Sequence, residues 1–242
     1  MRYLGGKHRL AKHLLKVMLP GHEGTWIEPF VGSASVIQHV PARYKRVGAD
    51  LNPYIIQLHI ALQNGWTPPT SLTNEEWRAI RYNKANYEPA LVAFAGFGCS
   101  YGARWFEGYA RSPKTPHINH AAATARNLEH MRPLLTGIDF YCCNYADLVL
   151  PLPPATIYCD PPYRGTTKYS GMPKFDNDLF WRWATLKARQ GYRVFVSEFT
   201  APEGWQCVWE KERATSLTKD TGAKKGVERL FIHTGLADEQ LR

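Results

Sequence analysis

The sequence predicts an α/β fold: a mostly parallel sheet of about seven strands, ended by an antiparallel hairpin and interrupted by one insertion. Three observations lead there. Short runs rich in β-branched and aromatic residues recur along the chain. Helical patterns separate most of them, which is how parallel strands are connected. The last two runs have no helix between them and read as a hairpin. A hydrophobic share of 44% over 242 residues supports a sizeable core and is too high for a disordered chain.

The elements follow in order. A helical pattern covers 7–18, and the apolar run TWIEPF at 25–30 is the first strand. A sharp turn at Gly32 and a helix over 33–40 come next. The second strand is 45–50, followed by a helix over 53–63 that opens on Pro53, a favoured first-turn residue. Further strands are expected at 138–142, 155–159, 193–198, 206–211 and 229–233, with helices over 121–134 and 177–190. The stretch 66–120 breaks the alternation. It is rich in Trp, Tyr, Gly, Pro and Arg, carries a helical pattern over 74–86, and reads as an insertion between two sheet strands. Loop-rich insertions in α/β proteins often hold substrate contacts.

Lys and Arg number 30 against 21 Asp and Glu, a formal charge of +9 that suits a polyanionic partner. No apolar run approaches the roughly 20 residues needed to span a bilayer. Lys7, His8, Arg9, Lys12, His13 and Lys16 interrupt the N-terminal segment, so it is not read as a signal peptide. The expected location is cytoplasmic. The five cysteines, Cys99, Cys142, Cys143, Cys159 and Cys207, are odd in number and form no CxxC pair. They read as reduced thiols, and no metal site is expected.

Two segments carry chemistry. In WIEPFVGSASVIQHV at 26–40, Gly32 and the small residues after it let the backbone approach a ligand. The next strand ends at Asp50, about 20 residues on, where a carboxylate can accept hydrogen bonds from ribose hydroxyls. The plainer reading of Asp50 is a helix cap ahead of Pro53. The full GxGxxG of a dinucleotide site and the GxxxxGK[ST] of a P-loop are both absent. A nucleoside without a pyrophosphate, such as S-adenosylmethionine, fits better.

The second segment is YCDPPY at 158–163. Asp160 follows a buried strand, so it stands at a carboxyl end of the sheet, where α/β folds place ligands. Pro161 and Pro162 have no N–H and leave only carbonyl acceptors. Together these groups accept two hydrogen bonds and suit a guest –NH2 group. Accepting both hydrogens of an aromatic amine pulls its nitrogen toward tetrahedral geometry and frees its lone pair. Tyr163 offers a flat face for a base. The plainer reading is a strand-ending turn.

These motifs, in this order, resemble the Dam-type DNA adenine-N6 methyltransferases of the D12 class, in the small form of phages and bacteria. YLGGK at 3–7, EPFVGSAS at 28–35, DLNPYII at 50–56, CCNYADL at 142–148 and YCDPPY at 158–163 carry the resemblance, which spans almost the whole chain. It implies a Rossmann-like methyltransferase sheet with a catalytic domain of residues 1–65 and 121–242, and a target-recognition region at 66–120. It implies S-adenosylmethionine as cofactor and double-stranded DNA as partner, with an oligomeric state of monomer or weak dimer. Tyr3, Lys7, Asp50 and Asp160 would contact the cofactor, Glu28, Phe30 and Gly32 would shape its pocket, and Asn144 and Tyr145 would lie along its adenine. Asp160, Pro161, Pro162 and Tyr163 would hold the target base. The cofactor motif precedes the catalytic one, as in the alpha group. Arg104 and Arg111 are the candidates for base contacts, with neighbouring aromatics as wedges, and Lys224, Lys225 and Arg229 for phosphate contacts.

Two positions depart from the family pattern. Ala34 stands where a second glycine is frequent, and Glu198 where the best-known members have Asn. Two other readings stay open: a methyltransferase for another amino group (RNA adenine, cytosine N4 or protein glutamine), and a non-catalytic DNA-binding homologue.

Overall fold

The computed structural model describes residues 5–111, 118–165, 175–214 and 225–236. Seven strands form one sheet in the order β3-β2-β1-β4-β5-β7-β6. They are β1 Thr25–Glu28, β2 Lys45–Asp50, β3 Ile138–Cys142, β4 Ala155–Cys159, β5 Arg193–Glu198, β6 Trp205–Ala214 and β7 Lys225–His233. The first five run parallel, and β7 lies antiparallel between β5 and β6. Chain order reverses at β1, which pairs with β2 on one side and β4 on the other. The carboxyl ends of β1, β2 and β4 thus meet at a topological switch point, where such sheets bind ligands. β4 and β5 are buried along their whole length, as expected of central strands covered on both faces.

Among the described residues six α-helices accompany the sheet: α1 Ala11–Met18, α2 Pro53–Gln63, α3 Asn74–Tyr82, α4 Pro89–Ala93, α5 His120–Leu135 and α6 Asn177–Arg189. Asn52 caps α2 by accepting from the N–H groups of Tyr54 and Ile55, and Pro53 fills the first turn. Thr73 and Glu76 form a reciprocal capping box on α3.

Several boundaries differ from the sequence expectation. The 33–40 helix shrinks to one 3-10 turn, Ile37–His39. Gly32 and Ala34 both take positive φ, 44° and 54°, which an α-helix cannot contain. Ala34, where the chain departs from the pattern it resembles, thus stands at a left-handed position that glycine takes more readily and that alanine takes here. Its methyl is fully buried, so packing offsets part of the backbone cost. The first helix starts at Ala11 rather than residue 7, because Leu10 and Ala11 both fold back onto the Lys7 carbonyl as a separate turn. The helix expected over 74–86 stops at Tyr82, and Lys84–Asn86 forms a 3-10 turn. The hairpin strands are longer than expected.

The 66–120 region leaves the sheet after α2 and rejoins it through α5. Several of its aromatics pack inward, while Tyr82 and Tyr101 are exposed. Trp77, Phe94, Phe97 and Phe106 are buried in the same cluster as α1 and α2 side chains. Phe97 and Phe106 therefore cannot serve as exposed wedges. Tyr101, 67% exposed, is a large aromatic of this segment that faces outward.

Candidate active site

The floor of the site is the turn after β1. Gly32 N–H donates to Asp50 Oδ2 at 2.9 Å, and Asn52 N–H donates to Asp50 Oδ1 at 2.9 Å. The carboxylate at the end of β2 thus pins the glycine turn at the end of β1. Each oxygen carries a further lone pair, so Asp50 can also accept from a ligand's hydroxyl groups. Burial pushes its pKa up, and the backbone N–H groups hold the charged form. From below, the buried His59 ring bonds the Gly32 carbonyl through Nε2 at 2.7 Å and stacks on Phe140. Burial lowers the His59 pKa to about 4, so the ring is neutral at pH 7 and Nε2 donates. Glu28, at the end of β1, is buried and accepts from Trp26 Nε1 at 2.9 Å; burial raises its pKa well above its ordinary value.

The wall is the segment after β4. Asp160 follows Cys159 directly, and its Oδ1 lies 2.8 Å from Lys7 Nζ. Lys7 is 2% exposed, and its backbone N–H donates to Ser35 Oγ at 3.0 Å, which ties the N-terminal segment to the glycine turn. Burial raises the Asp160 pKa, while the Lys7 ammonium opposes that rise. The same ammonium lies 4.7 Å from the centroid of the Tyr163 ring and 3.5 Å from Glu228 Oε2. Tyr163 O–H donates to that same Glu228 oxygen at 2.9 Å, and its ring meets Phe199 edge to face.

The structure also gives Glu198 a place. At the end of β5 its carboxylate accepts from Arg164 N–H at 3.0 Å and from Phe199 N–H at 2.7 Å. It clamps the backbone just beyond Tyr163 to the loop that carries Phe199. Sequence reasoning assigns neither Glu198 nor Glu228 to the site. A usable signal exists for Glu228: it shares strand parity with the buried Leu230 and Ile232, a charge on an otherwise apolar face.

The remaining expected residues fall as follows. Phe30 packs against Tyr145, Phe175 and Phe180, and Tyr145 is buried among Phe30, Phe175, Phe180 and Trp183. The Asn144 side chain accepts from Ala146 N–H and shapes the turn after β3. Arg104 pairs with Glu107 at 3.0 Å. Arg111 is exposed, its guanidinium 5.8 Å from the centroid of the Tyr109 ring. Arg229 is bonded to the Phe199 carbonyl and to Glu210. Tyr3 and Lys224 lie outside the described residues, and Lys225 is described only as the first residue of β7. Among the described residues no cluster of His, Cys, Asp and Glu could hold a metal ion, and no helix is long and apolar enough to cross a membrane.

Comparison with known proteins gives a family match and more distant structural likenesses. No curated protein matches. Among solved structures, the chain is similar to the proposed methyltransferase yhhF of Escherichia coli at 12% identity and a TM-score of 0.42, covering 93% of this chain and 86% of that one. It is similar to the proposed methylase HI0767 of Haemophilus influenzae at 13% identity and a TM-score of 0.38, covering 93% and 88%. A third, SMU.472, a proposed methyltransferase complexed with SAH, is 8% identical with a TM-score of 0.34, covering 94% of this chain and 52% of that one. The model of the D12 class N6 adenine-specific DNA methyltransferases matches residues 3–204, a span that takes in the glycine turn, Asp50 and the Asp160–Tyr163 segment; the chain belongs to that family.

Proposed function

We propose that this protein transfers a methyl group from S-adenosylmethionine to the N6 amino group of adenine in a short sequence of double-stranded DNA. The observation that carries the reading is the position of Asp160-Pro161-Pro162-Tyr163 at the end of β4, beside the glycine turn and the Asp50 carboxylate. The donor set fits the cofactor. Asp50 has lone pairs for ribose hydroxyls, the Gly32 turn has no side chain to block approach, and Lys7 offers an ammonium for a carboxylate group. Bound there, S-adenosylmethionine supplies an electrophilic methyl group, and the electron pair of the broken bond stays on sulfur.

The protein's own groups do the rest. Asp160 and the Pro161 carbonyl accept the two N6 hydrogens and hold the nitrogen pyramidal, so that its lone pair points at the methyl carbon. The nitrogen gains the methyl and sheds one proton, for which the Asp160 carboxylate is the nearest acceptor. Tyr163 stacks on the base. Proximity and fixed acceptors supply the rate. A duplex hides its bases, so the adenine must swing out at a cost of a few kcal/mol, recovered through contacts elsewhere. Arg104 and Arg111 supply base contacts from the 66–120 recognition region, and Lys224 and Lys225 supply phosphate contacts. Arg229 is a weaker candidate, because Glu210 and Phe199 already engage it. The motif order is that of the alpha group, and we place the enzyme in the bacterial cytoplasm.

The test is a pair of substitutions. Asp160→Ala should abolish methyl transfer in a folded protein, while Asp160→Asn, whose amide oxygen still accepts, should be milder. Full activity in the alanine variant would defeat the mechanism.

A further inference from the structure

We propose that Glu228, on the C-terminal hairpin, is a positioning residue that holds the Tyr163 ring and gives the Lys7 ammonium a second seat when the target amine takes its place on Asp160. The proposal rests on the methyl-transfer reading above and concerns a residue outside the 3–204 span of the family match.

The geometry has three parts. Glu228 sits on β7 beside Leu230 and Ile232 on the inward face, and only 11% of its side chain is exposed. One of its oxygens, Oε2, serves two partners: it accepts from Tyr163 O–H at 2.9 Å and lies 3.5 Å from Lys7 Nζ. Lys7 in turn sits 2.8 Å from Asp160 Oδ1 and over the Tyr163 ring. The ammonium therefore stands on the acceptor that the amine needs and beside the face on which the base would stack.

A target amine that approaches through Asp160 Oδ1 meets the Lys7 ammonium there, and that oxygen is fully available to it only when Lys7 moves off. A buried ammonium that leaves one carboxylate with no other nearby would be stranded at high cost, and besides the cofactor's own carboxylate the protein offers it Glu228. Glu228 removes that obstacle. It is already within ion-pair distance, so a shift of about an ångström carries Lys7 from one carboxylate to the other without breaking its pairing. The Tyr163 hydroxyl, bonded to the same oxygen, keeps the ring fixed while this happens. β7 thereby links the hairpin to the catalytic segment.

The test uses the full-length protein. E228Q keeps an oxygen for Tyr163 O–H but removes the charge. Its kcat should fall about 10- to 100-fold, the scale of a lost charged hydrogen bond, while KM for the cofactor stays nearly constant. The acid limb of kcat should also move to lower pH, because a carboxylate neighbour raises the Asp160 pKa and this variant removes it. A role confined to holding the Tyr163 hydroxyl, with no charge felt at Asp160, would not move that limb. E228D, with the charge kept one methylene farther off, should lose less activity and keep a wild-type acid limb. Wild-type kcat and an unmoved limb in E228Q would overturn the proposal, as would an E228D limb displaced like that of E228Q.

A readout independent of catalysis is the 15Nζ resonance of Lys7 in the free protein, which should shift in E228Q. If the wild-type protein methylates no DNA, the methyl-transfer reading fails, while this resonance still decides whether Lys7 is shared. An unshifted resonance would overturn the shared seat.

Discussion

At the scale of single residues, the site is a set of charges held out of water in opposed pairs. Asp160 shows how finely this is set. Burial raises its pKa and Lys7 opposes the rise. Its ionised form is the useful acceptor, so activity should fall as pH drops through its pKa. Lys7→Met removes the opposing charge and pushes that pKa higher. The acid limb of the pH–rate profile should therefore move to higher pH, opposite to the shift expected of E228Q. A limb that stays put would separate Lys7 from the Asp160 equilibrium. Asp50 allows a direct energetic test. Asp50→Ala should weaken S-adenosylmethionine binding by about 1.5–3 kcal/mol, the scale of a hydrogen bond to a charged group. Calorimetry showing wild-type affinity in a folded variant would remove Asp50 from the cofactor site. Asp50 and Asp160 are legible in the sequence because each sits next to a local marker, a strand end or a proline pair. The company they keep is not. Lys7 and Glu228 reach Asp160 from opposite ends of the chain, and no local pattern encodes a contact across that separation.

At the scale of elements, the strands are legible because buried parallel strands are written as short β-branched and aromatic runs. The glycine turn is less so. The pattern after Gly32 is apolar enough for a helix, but two left-handed residues, Gly32 and Ala34, prevent one. The 66–120 aromatics show the converse failure. Their density beside arginines reads as a nucleic-acid face, yet Trp77, Phe94, Phe97 and Phe106 build the core. Gly96 is the key to that packing. An added Cβ would collide with the Trp105 ring and lie 2.7 Å from the Phe106 ring. Both rings are wedged and cannot swing away cheaply. Gly96→Ala should destabilise the protein by about 1–3 kcal/mol, the usual cost of overpacking. Thermal unfolding checks this, and an unchanged midpoint would show that the insertion packs loosely. Glu198 belongs to this scale too, since it ties the β4 and β5 loops together through two backbone N–H groups.

At the scale of the whole molecule, two buried histidines set a dependence on acid. His59 under the glycine turn and His22 beside Thr156 both have pKa values lowered to about 4 by burial. In the unfolded chain each titrates near 6.5. Below that pH the unfolded state binds protons that the folded state refuses, so stability is lost as pH falls from 6.5 toward 4. The buried carboxylates with raised pKa values act in the opposite sense, so the histidine contribution must be isolated by substitution. His59→Gln should reduce the acid-induced loss by about 2 kcal/mol between pH 7 and pH 4.5. Denaturant unfolding at pH 7 and pH 4.5 measures it, and equal losses in both proteins would show that His59 is not the sensor. The fold brings together, at the sheet's switch point, the Asp160–Tyr163 segment that follows β4 and the glycine turn that follows β1. The most direct measurement of what that placement does is to incubate the protein with S-adenosylmethionine and unmethylated duplex DNA, digest the DNA to nucleosides, and identify the methylated one by mass spectrometry. The account predicts N6-methyldeoxyadenosine with the wild-type protein and none with Asp160→Ala. A product methylated on cytosine N4, or equal N6-methyldeoxyadenosine from both proteins, would contradict it.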